Sequence, residues 1–528
     1  MQQLSGLDAA FLYMETGRTP MHIGSLSIYD QSTAPGGRVT FKEILRFFQE
    51  RLHKARAFRQ RVVNVPLSLD HPYWIEDPDF DLEFHVRHIA LPAPGDWRQL
   101  CIQAARLHAR PLDRHKPLWE AYVIEGLDNV EGVPKGSFAL VTKIHHAAID
   151  GVSGAQISEA IHDLQPESHV DDPEKLWVPE RRPTGIELLT RTAVNTVATP
   201  ARLGRLVYRS APSLAKVAAG IATRQLKVPI RVPRTRFNGH VSSHRVFDGR
   251  SFDLNEVKAI KNSQTGTTVN DVVVTVCGGA LRKYLEAKAE LPRDSLVAMA
   301  PMSVRSQDKW GDAGNLVTAM SLPVRSDIAD PLERLLAVNK GSFEAKKLTH
   351  TMGPRLASDA AEFLPSTVSG LLARTYANSG LAERLPPLVN TVITNVPGPN
   401  IPLFSMGSRM VATFGLGPVV HGLGLFQPVL SYNNTITISA VADRDMMPDP
   451  AFYAECLQAS FDELKSATIN KPSKPLTGNA VMDQTADKPA KASSGRSKPR
   501  KKASKKKASK RSKKTAAKSQ NGADRAGA

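Results

Sequence analysis

The chain has 528 residues, 41% of them hydrophobic, and carries 69 Lys and Arg against 51 Asp and Glu, a formal net charge of +18. The charge is concentrated at one end: residues 471–528 hold 18 basic and 3 acidic residues, leaving 51 and 48 for the preceding 470. A nearly neutral body this rich in apolar residues excludes a wholly disordered chain, and a prior of ~150 residues per domain suggests two large domains and a non-globular end.

In chain order, the start (Met1-Gln2-Gln3-Leu4-Ser5-Gly6-Leu7-Asp8) lacks the basic and apolar regions of a signal peptide, so the chain is expected to stay in the cytoplasm. Residues 1–165 mix strand-like runs (21–29, 138–144) with a helical stripe at Phe41, Ile44, Leu45, Phe48 and Leu52, the pattern of an α/β or α+β domain. Residues 166–230 read as a connector. It begins acidic and proline-rich, then from Thr184 to Lys227 becomes helix-compatible with seven basic residues, interrupted by Pro200 and Pro212. Such helices suit either an anionic membrane surface or a solvated interdomain crossing.

Residues 231–470 form a second α/β segment. A helix start is expected at Phe252–Lys258, an apolar run from Asp271, strands at 295–300 and 435–441, and shaped loops at 395–402 and 415–418. No apolar stretch approaches the ~18 residues of a membrane span. Cys101, Cys277 and Cys456, odd in number and far apart, read as reduced core thiols. Residues 471–528 form a tail expected to be disordered: between Arg496 and Lys518, 13 of 23 residues are Lys or Arg and none is acidic, which leaves nothing to bury.

The segment richest in chemistry is Lys143-Ile144-His145-His146-Ala147-Ala148-Ile149-Asp150-Gly151, placed directly after an apolar strand. Imidazole is the natural general base near neutral pH, a strand end holds it in place, and Gly151 permits a tight turn. A metal site would need further ligands that no neighbouring cluster supplies. A serine nucleophile elbow needs Gly-x-Ser-x-Gly, and Gly151-Val152-Ser153-Gly154-Ala155 fails at its last position. Taken alone, the His-x-x-x-Asp spacing is common by chance and is equally compatible with a packed core histidine.

The wider set of motifs narrows the reading. His145-His146-x-x-x-Asp150-Gly151 resembles the active-site motif of the CoA-dependent acyltransferase superfamily. Within it, the chain resembles the bacterial wax ester synthase/diacylglycerol acyltransferase family through ordered matches from the N-terminus to about Ala442. These are Leu4–Phe11, Phe84–His88 with Leu91–Gly95, Pro117-Leu118-Trp119, Asn270-Asp271, Pro301–Arg305, Gly314-Asn315, Asn395-Val396-Pro397-Gly398-Pro399 and Leu430–Asn433. Asn434 departs from the family's Ser-Tyr-Asn-Gly pattern.

The resemblance implies two α/β domains, like those of chloramphenicol acetyltransferase, facing each other across a central tunnel with the His-His loop at its midpoint. It implies acyl-CoA as co-substrate, no cofactor or metal, and diacylglycerol or a fatty alcohol as acceptor, giving triacylglycerol or wax ester. A sugar or polyketide hydroxyl of an outer lipid is the alternative acceptor. His146 is expected to be the general base, His145 to shape the loop, and Asp150 to position it by pairing with Arg305. Asn270 is expected either to donate to the oxyanion or to cap the following helix. Pro117, Leu118 and Trp119 are expected to build a tunnel wall or core, and Asn395, Pro397 and Gly398 a stiff turn near the domain interface. The basic tail and helices suit an anionic membrane or lipid-inclusion surface, with nucleic acid the competing partner for the same charge.

Overall fold

The computed structural model describes residues 1–149, 154–167, 180–195, 232–303, 317–352, 375, 380 and 384–469. The first half of the chain contributes β1 (Gln2–Gln3), α1 (Gly6–Met14), β2 (His22–Asp30), α2 (Phe41–Arg51), β3 (Gln60–Val63), β4 (Tyr73–Glu76), α3 (Leu82–His85), β5 (Val86–Ala90), α4 (Trp97–Ala109), β6 (Trp119–Glu125), β7 (Phe138–His145), α5 (Gly154–Ala160) and a helix α6 at 185–195. The second half supplies β8 (Arg245–Asp253), α7 (Leu254–Asn262), α8 (Val269–Ala287), β9 (Val297–Ser303), β10 (Val317–Pro323), α9 (Pro331–Met352), β11 (Thr391–Pro397), β12 (Phe404–Ser405), β13 (Ser408–Leu416), β14 (Leu425–Tyr432), β15 (Thr435–Asp443) and α10 (Pro450–Thr468).

These strands build two six-stranded sheets, ordered β12-β13-β2-β7-β6-β5 and β10-β9-β11-β14-β15-β8, and a small sheet β1-β4-β3. The period-2 alternation of a strand sorts the first sheet's side chains. Tyr122, Ile124, Ala139 and Val141 join a core shared with α4 and the second half, while Trp119, Ala121, Val123, Phe138, Leu140 and Ile144 face a separate core under α1 and α2. The predicted α2 stripe behaves as expected: Ile44 and Phe48 are buried, Phe41 and Leu45 pack beside them, and a Thr40–Glu43 capping box starts the helix.

The apolar run from Asp271 is the long helix α8, started by a Thr268–Asp271 capping box. A Cβ on its Gly278 would lie 2.0 Å from the Val324 carbonyl oxygen, so only glycine lets α8 lie this close to the strand-exit backbone. Phe252, expected to open a helix, instead lies in β8, and α7 begins at Leu254 with Asp253 as its cap. The strand pairing continues that far because Phe252 sits opposite Ile436. The helix-compatible stretch from Thr184 opens with α6, where Thr184 exchanges hydrogen bonds with Glu187. Pro200, Pro212 and residues 471–528 lie outside the described residues. All three cysteines are buried free thiols.

One expectation needs correction. A boundary at residue 231 does not separate the two sheets, because β12 and β13 come from the second half yet complete the first sheet. β13 runs antiparallel to β2 from Arg409 opposite Asp30 to Leu416 opposite Gly24. The crossing is anchored at both ends. Arg51, fully buried, donates to both carboxylate oxygens of Asp163 at 2.6 Å, and Asp163 exchanges backbone hydrogen bonds with Phe404. Tyr432 accepts from the Leu403 N–H and donates to the Met410 carbonyl. One apolar core then runs from Leu26 and Val141 through α4 to Phe247, Val276 and Val441.

Candidate active site

Strand β7 ends at His145, and residues 146–148 turn once as a 3₁₀ helix. The turn is held by backbone bonds to both flanking strands: His145 N–H donates to the Leu118 carbonyl at 2.9 Å and His146 N–H to the Met21 carbonyl at 2.8 Å. His145 is fully buried. Its Nδ1 accepts the Ala147 N–H at 3.1 Å, so that nitrogen is unprotonated, and the ring proton of the neutral imidazole sits on Nε2. Nε2 faces Glu15 Oε2 at 3.6 Å.

Glu15 is the C-cap of α1. Its other contacts are the Nε of Arg114 at 2.8 Å and the N–H of Met21, which donates to Oε1 at 3.3 Å. Burial pushes the Glu15 carboxyl up, but His145 and Arg114 outweigh it and hold the group below its usual range, as a carboxylate. Four residues earlier on α1, Phe11 stacks on the half-buried His146 ring with centroids 3.9 Å apart and planes 19° apart. The i, i+4 spacing puts Phe11 and Glu15 on one side of the helix, one touching each histidine of the pair.

Behind His145 the sheet carries further buried polar groups. His22 lies directly opposite His145, and Glu120 directly opposite Lys143. Lys143 contacts Glu120 at 3.0 Å and donates to the Arg110 carbonyl at 2.9 Å, while Tyr122 donates to Glu120 at 2.6 Å. Burial lowers the Lys143 pKa in spite of that carboxylate. His22 donates through Nε2 to the His108 carbonyl and His108 through Nε2 to the Gly417 carbonyl at 2.9 Å, their rings edge to face. Burial keeps both neutral and lowers His108 to about 3.

The structure brings His145, His146, Leu118 and Trp119 together, since Trp119 pairs with Ile144 across β6 and β7. Trp119 is a core residue: its Nε1 donates to the Phe58 carbonyl at 3.0 Å and its ring stacks on His85 at 4.6 Å. Pro117 and Leu118 are buried beside it. Asn270 is the second residue of α8, and the capping role is filled by Thr268. Asn395 and Pro397 belong to β11, paired in parallel with Val429 and Ser431 of β14, so the expected turn starts only at Gly398. There the N–H donates to Ser431 Oγ at 3.1 Å, and a Cβ would meet the Ser431 carbonyl oxygen at 2.2 Å. Asp150, Gly151 and Arg305 lie outside the described residues.

Glu15 and Arg114 carry no motif of their own. The available signal was the spacing of Glu15 from Phe11, the last residue of a segment that already stood out.

Two mixed sheets sharing one core, with a His-His-x-x-x-Asp-Gly segment at the end of a central strand, define the architecture of a CoA-dependent acyltransferase. The comparisons agree on the family. Residues 4–273 match the wax ester synthase/diacylglycerol acyltransferase catalytic domain and residues 313–465 the C-terminal domain of the same family. A chain from Mycobacterium tuberculosis (strain CDC 1551 / Oshkosh), named as a candidate diacylglycerol O-acyltransferase, is 34% identical over 89% of this chain and 92% of its own length. The wax ester synthase/diacylglycerol acyltransferase structure from Marinobacter aquaeolei VT8 is 27% identical, covers 88% of this chain and 99% of its own, and superposes with a TM-score of 0.60. The trichothecene 15-O-acetyltransferase from Fusarium sporotrichioides, 13% identical over 88% of this chain and 94% of its own, shares the fold at a TM-score of 0.54. The chain belongs to the wax ester synthase/diacylglycerol acyltransferase family and is an acyltransferase.

Proposed function

We propose that the enzyme transfers a long-chain acyl group from acyl-CoA to the free hydroxyl of diacylglycerol, and also to fatty alcohols, with His146 as general base and no cofactor. The observation that carries this reading is the asymmetry of the histidine pair. His145 is buried with Nδ1 occupied, whereas His146 is half-buried and held by a ring stack. His146 removes the acceptor's hydroxyl proton as that oxygen bonds to the thioester carbonyl carbon. The tetrahedral intermediate collapses with cleavage of the C–S bond, and the proton passes to the departing thiolate. No acyl-enzyme forms. Glu15, through His145, fixes the backbone of the turn that carries the base.

The test is product separation from acyl-CoA supplied with diacylglycerol or hexadecanol. His146→Ala should lower kcat/KM by roughly 10²–10⁴ with the thermal midpoint retained, and near-normal turnover would sink the assignment. Ester formed only on other hydroxyl acceptors would keep the base and replace the substrate.

The +15 tail is assigned to an anionic lipid surface, where each basic residue near the headgroups adds ~1 kcal/mol. Removing residues 471–528 should weaken binding to phosphatidylserine vesicles. Unchanged binding to vesicles, or loss of binding to DNA alone, would overturn this.

A further inference from the structure

Phe11 reaches His146 from a helix that is fixed at both ends. Ser5 caps the start of α1, its Oγ accepting the Asp8 N–H at 3.1 Å and its hydroxyl donating to Asp8 Oδ2 at 2.6 Å. Glu15 closes the other end, its N–H donating to the Phe11 carbonyl at 3.2 Å. Between the caps, Ala9 and Leu12 are buried in the same core as Ile144, Ala147 and Ala148, so helix and turn pack as one piece.

The geometry of the stack is informative. Neutral aromatic rings favour offset or edge-to-face pairs with centroids about 4.5–7 Å apart. Phe11 and His146 are nearly parallel, and a centroid separation of 3.9 Å leaves little lateral offset between them. That arrangement suits two neutral rings poorly and suits a planar cation on an aromatic face well, as when a guanidinium stacks on a phenyl ring. The charged groups of the surrounding elements are engaged with other partners. Glu15 pairs with Arg114 beside His145, Asp8 bonds to Ser5, and Lys143 pairs with Glu120. His22, opposite His145 on β2, is kept neutral by burial.

We propose that the face of Phe11 stabilises the protonated form of His146 during acyl transfer. The imidazole is neutral before it takes the acceptor's hydroxyl proton and cationic until that proton passes to the departing thiolate. A negative ring face that favours the cation therefore lowers the barrier without tightening substrate binding. The proposal rests on the reading of His146 as the base. Phe11 acts through that imidazole and is a positioning residue for it.

Phe11→Leu keeps an apolar side chain against the turn and removes the aromatic face. Its kcat should fall roughly five- to tenfold, with KM for acyl-CoA within about twofold of wild type. Histidine-selective NMR, with the His146 signal assigned by its loss in His146→Ala, should show that ring titrating at lower pH in Phe11→Leu than in wild type. Since Phe11→Leu also alters packing, a second series separates the two roles: fluorinated phenylalanines placed at residue 11 alone, with one, two and three ring fluorines. These keep the shape of the ring and progressively weaken its negative face, so kcat should fall stepwise with the thermal midpoint unchanged. A flat fluorine series, or a Phe11→Leu protein whose His146 titration does not move, would reduce Phe11 to packing and overturn the proposal while leaving the base in place. Near-normal turnover in His146→Ala would instead refute the base, and this proposal with it.

Discussion

The two six-stranded sheets are assembled alike and loaded differently. In the second, three of the β14–β15 pairs are apolar, Phe426 opposite Val441, Leu425 opposite Ala442 and Val429 opposite Ile438, and its buried charged pair, Arg245 opposite Asp443, lies on the edge strand β8. In the first, the same kind of central pair carries His22 opposite His145 and Glu120 opposite Lys143, all buried. Desolvating those groups costs stability, and the first sheet accepts that cost at the end where the His145–His146 turn leaves it. The second sheet returns stability through apolar pairs and through the core it shares with α4. The His145–His146 end is a polar inset in one sheet, supported by an ordinary core in the other.

The largest effect should come from unpairing the inset. Lys143→Met leaves Glu120 buried without its closest cation and should lower unfolding free energy by about 3 kcal/mol, at the low end for a broken buried pair because Tyr122 still donates to the carboxylate. Adding Glu120→Gln should restore much of it. In the second sheet Val429→Ala should cost about 1–2.5 kcal/mol, with no partner change able to rescue it. Urea melts of the four proteins decide the matter; a Lys143→Met loss no larger than that of Val429→Ala would erase the contrast.

Acid should separate the sheets next. Folded His108 titrates at about 3 and His162 at about 4, against about 6.5 for an unperturbed imidazole, because burial disfavours the cation. Between those values the unfolded chain binds more protons than the folded one. The contribution of neutral His108 is therefore complete above about pH 6.5 and is lost as pH falls toward 3. His108→Gln keeps an amide donor for the Gly417 carbonyl and removes the titration. Its stability should fall about 2 kcal/mol less than wild type's between pH 6.5 and 5, read from urea midpoints at each pH. Parallel pH curves would show that His108 is already protonated in the fold.

Where the fold follows local periodicity, the sequence announces it. The α2 stripe, the β7 strand and β15 sit where their apolar patterns put them, and the His-His turn follows β7 directly. What periodicity cannot carry is partner choice. Nothing in residues 404–416 says that they pair with β2, some 380 residues earlier, because a strand's alternation is the same whichever edge it joins. The same holds at the site. His145 and His146 stand out as a motif, but the Glu15 and Arg114 side chains that fix His145 reach it only through tertiary folding, and neither has a local pattern. Phe252 misled for a related reason: its helix-like neighbours describe α7 correctly, yet the β8–β15 ladder extends far enough to claim it.

The smallest expected effect lies in the second sheet, at Asn434, where the resemblance to the family leads one to expect glycine. β14 and β15 are joined by Asn433 and Asn434, with φ of 41° and 66°, both left-handed. A two-residue hairpin loop of this kind matches the right-handed twist of its strands, and its favoured sequence is Asn-Gly. Asn tolerates that region better than other residues with a Cβ, which is how the turn forms here without glycine. Its Asn434 N–H donates to Asn400 Oδ1 at 2.6 Å, a backbone contact that glycine would keep. Asn434→Gly should therefore stabilise by about 0.5 kcal/mol, the relief of the Cβ slightly exceeding glycine's extra freedom in the unfolded chain. Asn434→Ala should destabilise by about 1 kcal/mol. Acyl transfer should be unchanged in both, since the turn belongs to the second sheet and is not part of the polar inset of the first. A destabilised Asn434→Gly protein, or either variant altering kcat/KM, would mean that the Asn434 side chain has a role beyond the turn and that the second sheet is not merely support.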